Sequence, residues 1–209
     1  AGYVHSPVKL YGAKEDAYRN NLPLDYGSLN GTNGKVVRAV KAHSYIYVIQ
    51  ERGFGVLPIN QKAFVPSTEG DIVLGSGNVI GKVNYISNIY GSQHPGSVWV
   101  NNNYIGFVDA RMGKQMFFSQ AGLAKMSTNN NMDDLVIAST LYNEKGQQLL
   151  PYLNKIQNIV AVYDFEHEEV LTSFISYPHP ETSGFGVGNV NSFCLAYSPE
   201  LSFYTQFFD

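Results

Sequence analysis

The stretch SVWVNNNYIGFVDARMGKQMFFSQAGLAKMS, residues 97–127, predicts three short strands joined by two tight turns. The runs SVWV, YIGFVD and QMFFS are rich in β-forming residues, NNN and ARMGK separate them, and QAGL forms the exit from the third run. In the second run apolar side chains occupy both alternating sets of positions, so we expect neighbouring sheets to cover both faces of this strand. Short strands stacked in this way are typical of a β-propeller blade.

The same pattern recurs along the chain. KVVRAVKA, SYIYVIQ and VLPIN predict an earlier meander, whose third run carries Pro58 and is therefore expected at an edge or a bulge. VAVYD and EVLTSFI flank the polar FEHE and predict a hairpin, and FCLAYSPELSFYTQFF returns to strand character. The predicted fold class is mainly β, with short antiparallel meanders, β-propeller-like blades and one inserted helix.

Turn-forming residues divide the chain into two predicted regions. Residues 1–34 are dense in Asn, Pro and Gly and predict an irregular N-terminal arm, which lies either on a neighbouring subunit or on its own domain. Residues 35–209 predict a propeller-like β domain. It contains a helical insertion at about 131–154, where Leu135, Ala138 and Leu141 recur at helical spacing. The chain begins at Ala1 and stops within an aromatic run, so we expect it to be part of a longer protein.

Composition excludes several classes of function. The net charge is −3 and no basic block occurs, which argues against electrostatic binding of duplex nucleic acid. The single cysteine, Cys194, rules out an internal disulfide and a cysteine-based zinc site. No apolar run of about 18 residues occurs, so no membrane-spanning segment is predicted. Gly75, Gly77 and Gly81 lack the spacing of a phosphate-binding loop, and no cofactor is predicted.

The histidines and the acidic residues have structural rather than catalytic interpretations. The five histidines show no metal-binding spacing, and no metal site is predicted. Asp109 and Asp164 each follow an apolar strand and precede a tight turn, where a carboxylate accepts backbone N–H groups. The acidic residues after Asp164 fall across a hairpin tip that is expected to face water rather than a cleft. We therefore assign no catalytic residue and predict that the protein is not an enzyme.

Three motifs carry a resemblance to a known family. The turn at residues 91–97, the strand and turn at residues 107–114 and the hairpin at residues 163–174 resemble the "G-x-x-HP-x-S", "YFVD-x-x-x-GKV" and "YD…E…TF" patterns of one family. That family is the tail stabilization, nozzle or muzzle proteins of crAss-like and related podovirus-type bacteriophages. The resemblance covers residues 36–178. The matching positions are Gly91, His94, Pro95, Ser97, Phe107, Val108, Asp109, Gly113, Lys114, Tyr163, Asp164, Glu169, Thr172 and Phe174.

The resemblance implies a structural virion protein of the phage tail, made in the host cytoplasm. Such a protein forms a homo-oligomeric ring that contacts portal or ring proteins and other tail proteins. The ring lets packaged DNA pass through its lumen without sequence-specific binding and helps to retain that DNA. The turn and blade positions implied by the motifs are His94, Pro95, Asp109, Gly113, Lys114 and Asp164.

A carbohydrate-binding or glycosidase-type β-propeller module is the alternative. A glycosidase needs carboxylates that converge in a cleft. A sugar-binding module needs exposed aromatic rings as stacking platforms, and Trp99 and the tyrosines are the candidates.

Overall fold

The computed structural model describes residues 1–6, 25–42, 45–59, 63–65, 72–74, 80–127, 156–176 and 193–208. Most of these residues lie in short strands. Two 3-10 turns, Gly31–Asn33 and Pro95–Ser97, interrupt them. The strands are β1 (Gly2–Val4), β2 (Tyr26–Ser28), β3 (Val36–Ala42), β4 (Tyr45–Gln50), β5 (Phe54–Pro58), β6 (Ala63–Val65), β7 (Ile72–Leu74), β8 (Asn84–Ser87), β9 (Trp99–Val100), β10 (Ile105–Asp109), β11 (Lys114–Ser119), β12 (Gly122–Lys125), β13 (Ile156–Asp164), β14 (Glu169–Ser176), β15 (Phe193–Ser198) and β16 (Phe203–Phe208).

Three antiparallel sheets of four strands carry the fold. Sheet 1 has the order β3-β4-β5-β8, sheet 2 is β9-β10-β11-β12, and sheet 3 is β13-β14-β15-β16. Two-stranded ribbons, β1-β2 and β6-β7, accompany them. In each large sheet the strands follow one another in the order of the chain. The prediction of a mainly β protein built from short antiparallel meanders is therefore confirmed.

Two local predictions are wrong. The segment predicted as the exit from the third run forms a fourth strand, β12, whose first residue, Gly122, has φ +109° and pairs with Ser119. Few β-forming side chains mark this strand, and its pairing with β11 defines it. Pro58 was predicted at an edge or a bulge, but β5 is flanked by β4 and β8, and the irregularity in its pairing with β8 lies at Phe54 and Gly55. Pro58 is the last residue of β5, beyond the final β5–β8 pair of Val56 with Asn84, where no ladder bond is needed from its nitrogen.

The predicted N-terminal arm contains a short ribbon. β1 pairs with β2, and Tyr3 and Leu29 pack against Val48 and Leu57 of sheet 1. The described part of the arm therefore lies on its own domain. The predicted helix at about 131–154, the bend at residues 43–44 and most of the loop before β15 fall outside the described residues.

Sheet 2 lies between the other two sheets. One apolar cluster joins it to sheet 1 through Ile49, Phe54, Val98, Ile105, Phe107 and Met116. A second cluster joins it to sheet 3 through Trp99, Met126, Val170 and Tyr197. All five residues of β10 are consequently buried, as the apolar pattern on both of its faces predicts. Each large apolar side chain buried in this way contributes about 1.5–3 kcal/mol to folding.

Candidate functional site: a junction of three sheets

The loop Gly91–Ser97, which we call the junction loop, touches all three large sheets. The Ser92 backbone N–H donates to the Gln50 carbonyl of sheet 1 at 3.0 Å, and the Ser92 hydroxyl donates to the Val108 carbonyl of sheet 2 at 2.9 Å. On the third side, a Cβ atom at Gly96 would lie 3.2 Å from the Ile159 carbonyl of sheet 3. The junction loop is therefore hydrogen-bonded to sheets 1 and 2 and lies directly against sheet 3.

Two buried serines fix the shape of the junction loop. The Ser92 and Ser97 hydroxyl oxygens are 2.9 Å apart, and neither residue is exposed to solvent. The Ser97 hydroxyl donates to the His94 carbonyl at 2.8 Å and accepts the Val108 N–H at 3.3 Å. Because each hydroxyl has partners, these polar groups are buried without the cost of an unpaired donor. Pro95 occupies the first turn of the 3-10 segment, where its missing N–H is no loss.

Asp109 ties the junction loop to the turn after β10. Its two carboxylate oxygens accept the Gly91 N–H at 3.1 Å and the Met112 N–H at 3.0 Å, and the Arg111 guanidinium lies 3.6 Å away. Burial raises the pKa of this fully buried carboxyl, while the two backbone hydrogen bonds and Arg111 oppose the rise. Gly113, with φ +61°, completes the turn.

Sheet 1 meets the junction loop at a buried glutamine. Gln50, the last residue of β4, donates through Nε2 to the Gly34 carbonyl at 2.8 Å and to the Asn30 carbonyl at 3.1 Å. Its Oε1 accepts the Tyr85 hydroxyl at 2.6 Å. All polar atoms of the side chain are therefore satisfied although it is fully buried. Gly91 lies so close that a Cβ there would be 2.2 Å from the Gln50 carbonyl oxygen.

Arg38 on β3 contacts the junction loop from the side of sheet 1. Its Nη1 donates to the Pro95 carbonyl at 3.0 Å and to the Val98 carbonyl at 3.1 Å. These are charge-assisted hydrogen bonds to backbone, which are stronger than neutral ones. Burial lowers the pKa of the neighbouring His94 imidazole, so the neutral form is favoured there.

Asp164 lies apart from this junction, at the tip of the β13–β14 hairpin. Its carboxylate accepts the Glu166 N–H at 2.9 Å and contacts His167 Nδ1 at 2.8 Å. The hydrogen bond with His167 is the main cause that lowers the pKa of Asp164. Glu166, His167 and Glu168 are exposed, so the acidic cluster faces water and converges on no cleft. The structure thus brings His94, Pro95 and Asp109 together and places Gly113 in the turn that follows Asp109. Lys114 is the first residue of β11 and pairs with Asp109, whereas Asp164 lies on a different sheet.

Comparison with known protein families assigns the chain. The profile of a family described as "Crassvirus muzzle protein" matches residues 2–209. The chain belongs to this family. Comparison with curated proteins finds no match. The resemblance to muzzle proteins is therefore confirmed, and the muzzle family makes this chain a phage structural protein and a component of the virion.

Metal ligands, membrane-spanning helices and exposed aromatic rings are features that other functions would need. Among the described residues no group of three or more His, Cys, Asp or Glu side chains is placed to hold a metal ion. No helix in the same part of the chain is long and apolar enough to cross a membrane. Trp99 lies in the core, where it stacks on Tyr163 at 5.9 Å and covers Gly106. It is therefore not available as a stacking platform for a sugar.

Sequence reasoning about the muzzle chain missed Gln50 and Arg38. Gln50 is a polar residue that ends an otherwise apolar strand, and this position is the one local signal of a buried hydrogen-bonding role. The role of Arg38 depends on carbonyl groups nearly sixty residues further along the chain, which no local pattern reveals.

Proposed function

We propose that this muzzle-family chain is a propeller-like building block of the tail nozzle, the channel through which packaged DNA leaves the particle. The observation that carries this proposal is the convergence of the first strands of the three sheets. β3, β9 and β13 line one groove of about 300 Å³, formed by Arg38, Val40, Val98, Trp99, Val100, Ala161, Val162, Tyr163 and Phe165. In a propeller, four-stranded meanders surround a central channel in this manner.

The packing of the sheets supports the same arrangement. Sheets 1, 2 and 3 stack in chain order, and each interface is an apolar cluster between sheet faces. Hydrogen bonds then tie the junction loop to sheets 1 and 2, and Gly96 lies against the Ile159 carbonyl of sheet 3. A nozzle has to resist the pressure of packaged DNA. The buried Gln50, Ser92 and Ser97 side chains all have hydrogen-bond partners, and buried polar groups paired in this way make such a junction rigid.

The charge of the chain suits a DNA exit channel that does not grip its cargo. A lumen rich in Lys and Arg would bind the phosphate backbone and hold the DNA. The muzzle chain carries 14 Lys and Arg against 17 Asp and Glu, so its average charge opposes such binding. We propose that copies of the chain form a ring that contacts the portal or ring proteins and other tail proteins, and that retains DNA until ejection.

A second candidate function rests on a neutral groove between sheets 1 and 2. The groove has a volume of about 320 Å³, and its lining carries no charged side chain. Tyrosine rings and amide groups surround it: Ala42, Tyr45, Tyr47, Asn101, Asn102, Asn103, Tyr104, Ile105, Phe118, Ser119 and Gln120. Aromatic rings beside amide groups suit a neutral sugar, whereas the missing carboxylates argue against hydrolysis. Loss of glycan binding in Tyr45→Ala would support this function.

Immunogold labelling of intact particles tests the nozzle proposal. Antibodies raised against this chain should place gold at the tail of DNA-filled particles. Gold distributed over the capsid shell, with none at the tail, would overturn the proposal.

A further inference from the structure

One end of the row of sheets is apolar and acidic. Of the eleven large apolar side chains that are exposed among the described residues, five belong to sheet 3 and its turns: Val160, Val162, Phe165, Leu201 and Phe203. Two of them, Val162 and Phe165, also line the groove that β13 shares with β3 and β9. The described residues of this sheet, 156–176 and 193–208, contain five carboxylates and no Lys or Arg. The carboxylates are Asp164, Glu166, Glu168, Glu169 and Glu200. We call this surface the acidic end.

The opposite end of the row is apolar and basic. Tyr3 of the β1-β2 ribbon packs against sheet 1. Val4 and Tyr26, which pair with each other across the ribbon, are 58% and 63% exposed. The Tyr3 hydroxyl donates to the Gly81 carbonyl at 3.4 Å, which places the ribbon beside the exposed Lys82. The described residues 25–42, 45–59 and 80–87 contain five Lys or Arg against two carboxylates. We call the β1-β2 ribbon and the exposed part of sheet 1, together with the exposed Lys82 and Lys35, the basic end.

The two ends belong to the outer sheets of the row, and sheet 2 packs between the faces of those sheets. Exposed apolar side chains within a charged rim are typical of protein interaction sites. Opposite charge on the two rims steers the surfaces together and disfavours other pairings. The basic end of a second copy matches the acidic end, because it has exposed apolar side chains and the opposite charge.

We propose that the acidic end of one copy docks on the basic end of the next copy. This inference rests on the ring proposed above. The contact is head-to-tail, so each copy uses a different surface toward each neighbour. Head-to-tail contacts generate a closed ring when the rotation between neighbours closes, and an open filament when it does not. The charge difference between sheets 1 and 3 therefore sets the direction of assembly.

Charge reversal at each end tests the contact. One variant carries Glu166→Lys and Glu168→Lys, and the other carries Lys35→Glu and Lys82→Glu. All four residues are exposed, so neither variant should lose its fold. Sedimentation velocity of the full chain measures self-association over a concentration series. We expect the wild-type chain to associate more weakly as salt rises and each variant to associate at least about tenfold more weakly than wild type.

Rescue identifies the contact. Mixing the two variants, or combining all four substitutions in one chain, restores complementary charges and should restore association. The control is Lys125→Glu on sheet 2, which makes one reversal of the same kind away from both ends and should leave association unchanged. Variants that associate as wild type does, or a wild-type chain that stays monomeric throughout, would overturn the head-to-tail contact. Immunogold labelling decides the nozzle proposal independently of this result.

Discussion

Replacing Gly91 with alanine is expected to lower the midpoint of thermal unfolding by roughly 6–12 °C. A Cβ at this position would lie 2.2 Å from the Gln50 carbonyl oxygen and 2.7 Å from the Arg52 backbone nitrogen. Both are backbone atoms, so no flexible side chain can move aside. The buried Gln50 side chain is itself held by the Gly34 and Asn30 carbonyls, which fixes the strand end that the new methyl group would meet.

The magnitude follows from two effects. Forcing a methyl group into this contact costs about 1–3 kcal/mol by overpacking. Displacing Gly91 also weakens the hydrogen bond that its N–H donates to the buried Asp109, at about 1–3 kcal/mol. We take about 2 kcal/mol for the overpacking and about 1 kcal/mol for the hydrogen bond, which is weakened and not lost. The total of about 3 kcal/mol corresponds to roughly 6–12 °C for a chain of this length, since each kcal/mol shifts the midpoint by about 2–4 °C.

Differential scanning calorimetry measures the shift, with Gly31→Ala as the matched control. A Cβ at Gly31 meets no atom within 4 Å, so the control should melt within about 1 °C of wild type. A Gly91→Ala variant that melts like the control would show that the junction loop is not held against the end of β4.

Three further predictions concern the same junction. Trp99→Ala should cost about 3–5 kcal/mol in urea unfolding, since it empties the core between sheets 2 and 3. Arg38→Met should cost about 1–3 kcal/mol in the same assay by removing two charge-assisted hydrogen bonds, whereas Lys41→Met on the same strand should change stability by less than about 0.5 kcal/mol. Burial lowers the pKa of His94, so the unfolded chain binds a proton more readily and stability should fall as the pH drops below about 6.5. His94→Gln should flatten that part of the pH profile of the unfolding midpoint.

Alternating apolar runs predicted most of the strands, because such runs report burial on a pleated surface whatever their partners are. β10 shows this clearly, since apolar residues on both faces predicted cover on both sides and every residue is buried. β12 was missed because Gly122 and Ala124 lack β-forming side chains. Its pairing with β11, which the sequence does not reveal, defines this strand.

The hydrogen bonds of the junction were only partly predictable from local sequence patterns. The role of Asp109 in its own turn was predictable, because a carboxylate there meets an N–H three residues later. Its bond to Gly91 spans 18 residues, and the bond between Gln50 and Asn30 spans 20. Contacts of this kind depend on how the sheets stack, which the strand pattern of one sheet does not specify.

A cryo-electron microscopy map of the phage tail would show whether the three sheets of this chain surround the channel through which DNA leaves. We expect copies of this chain in a ring around the tail axis, with β3, β9 and β13 as neighbouring inner strands of successive blades and the junction loop between them. A map in which the three sheets do not surround a common channel, or in which the chain lies away from the tail, would contradict the nozzle proposal.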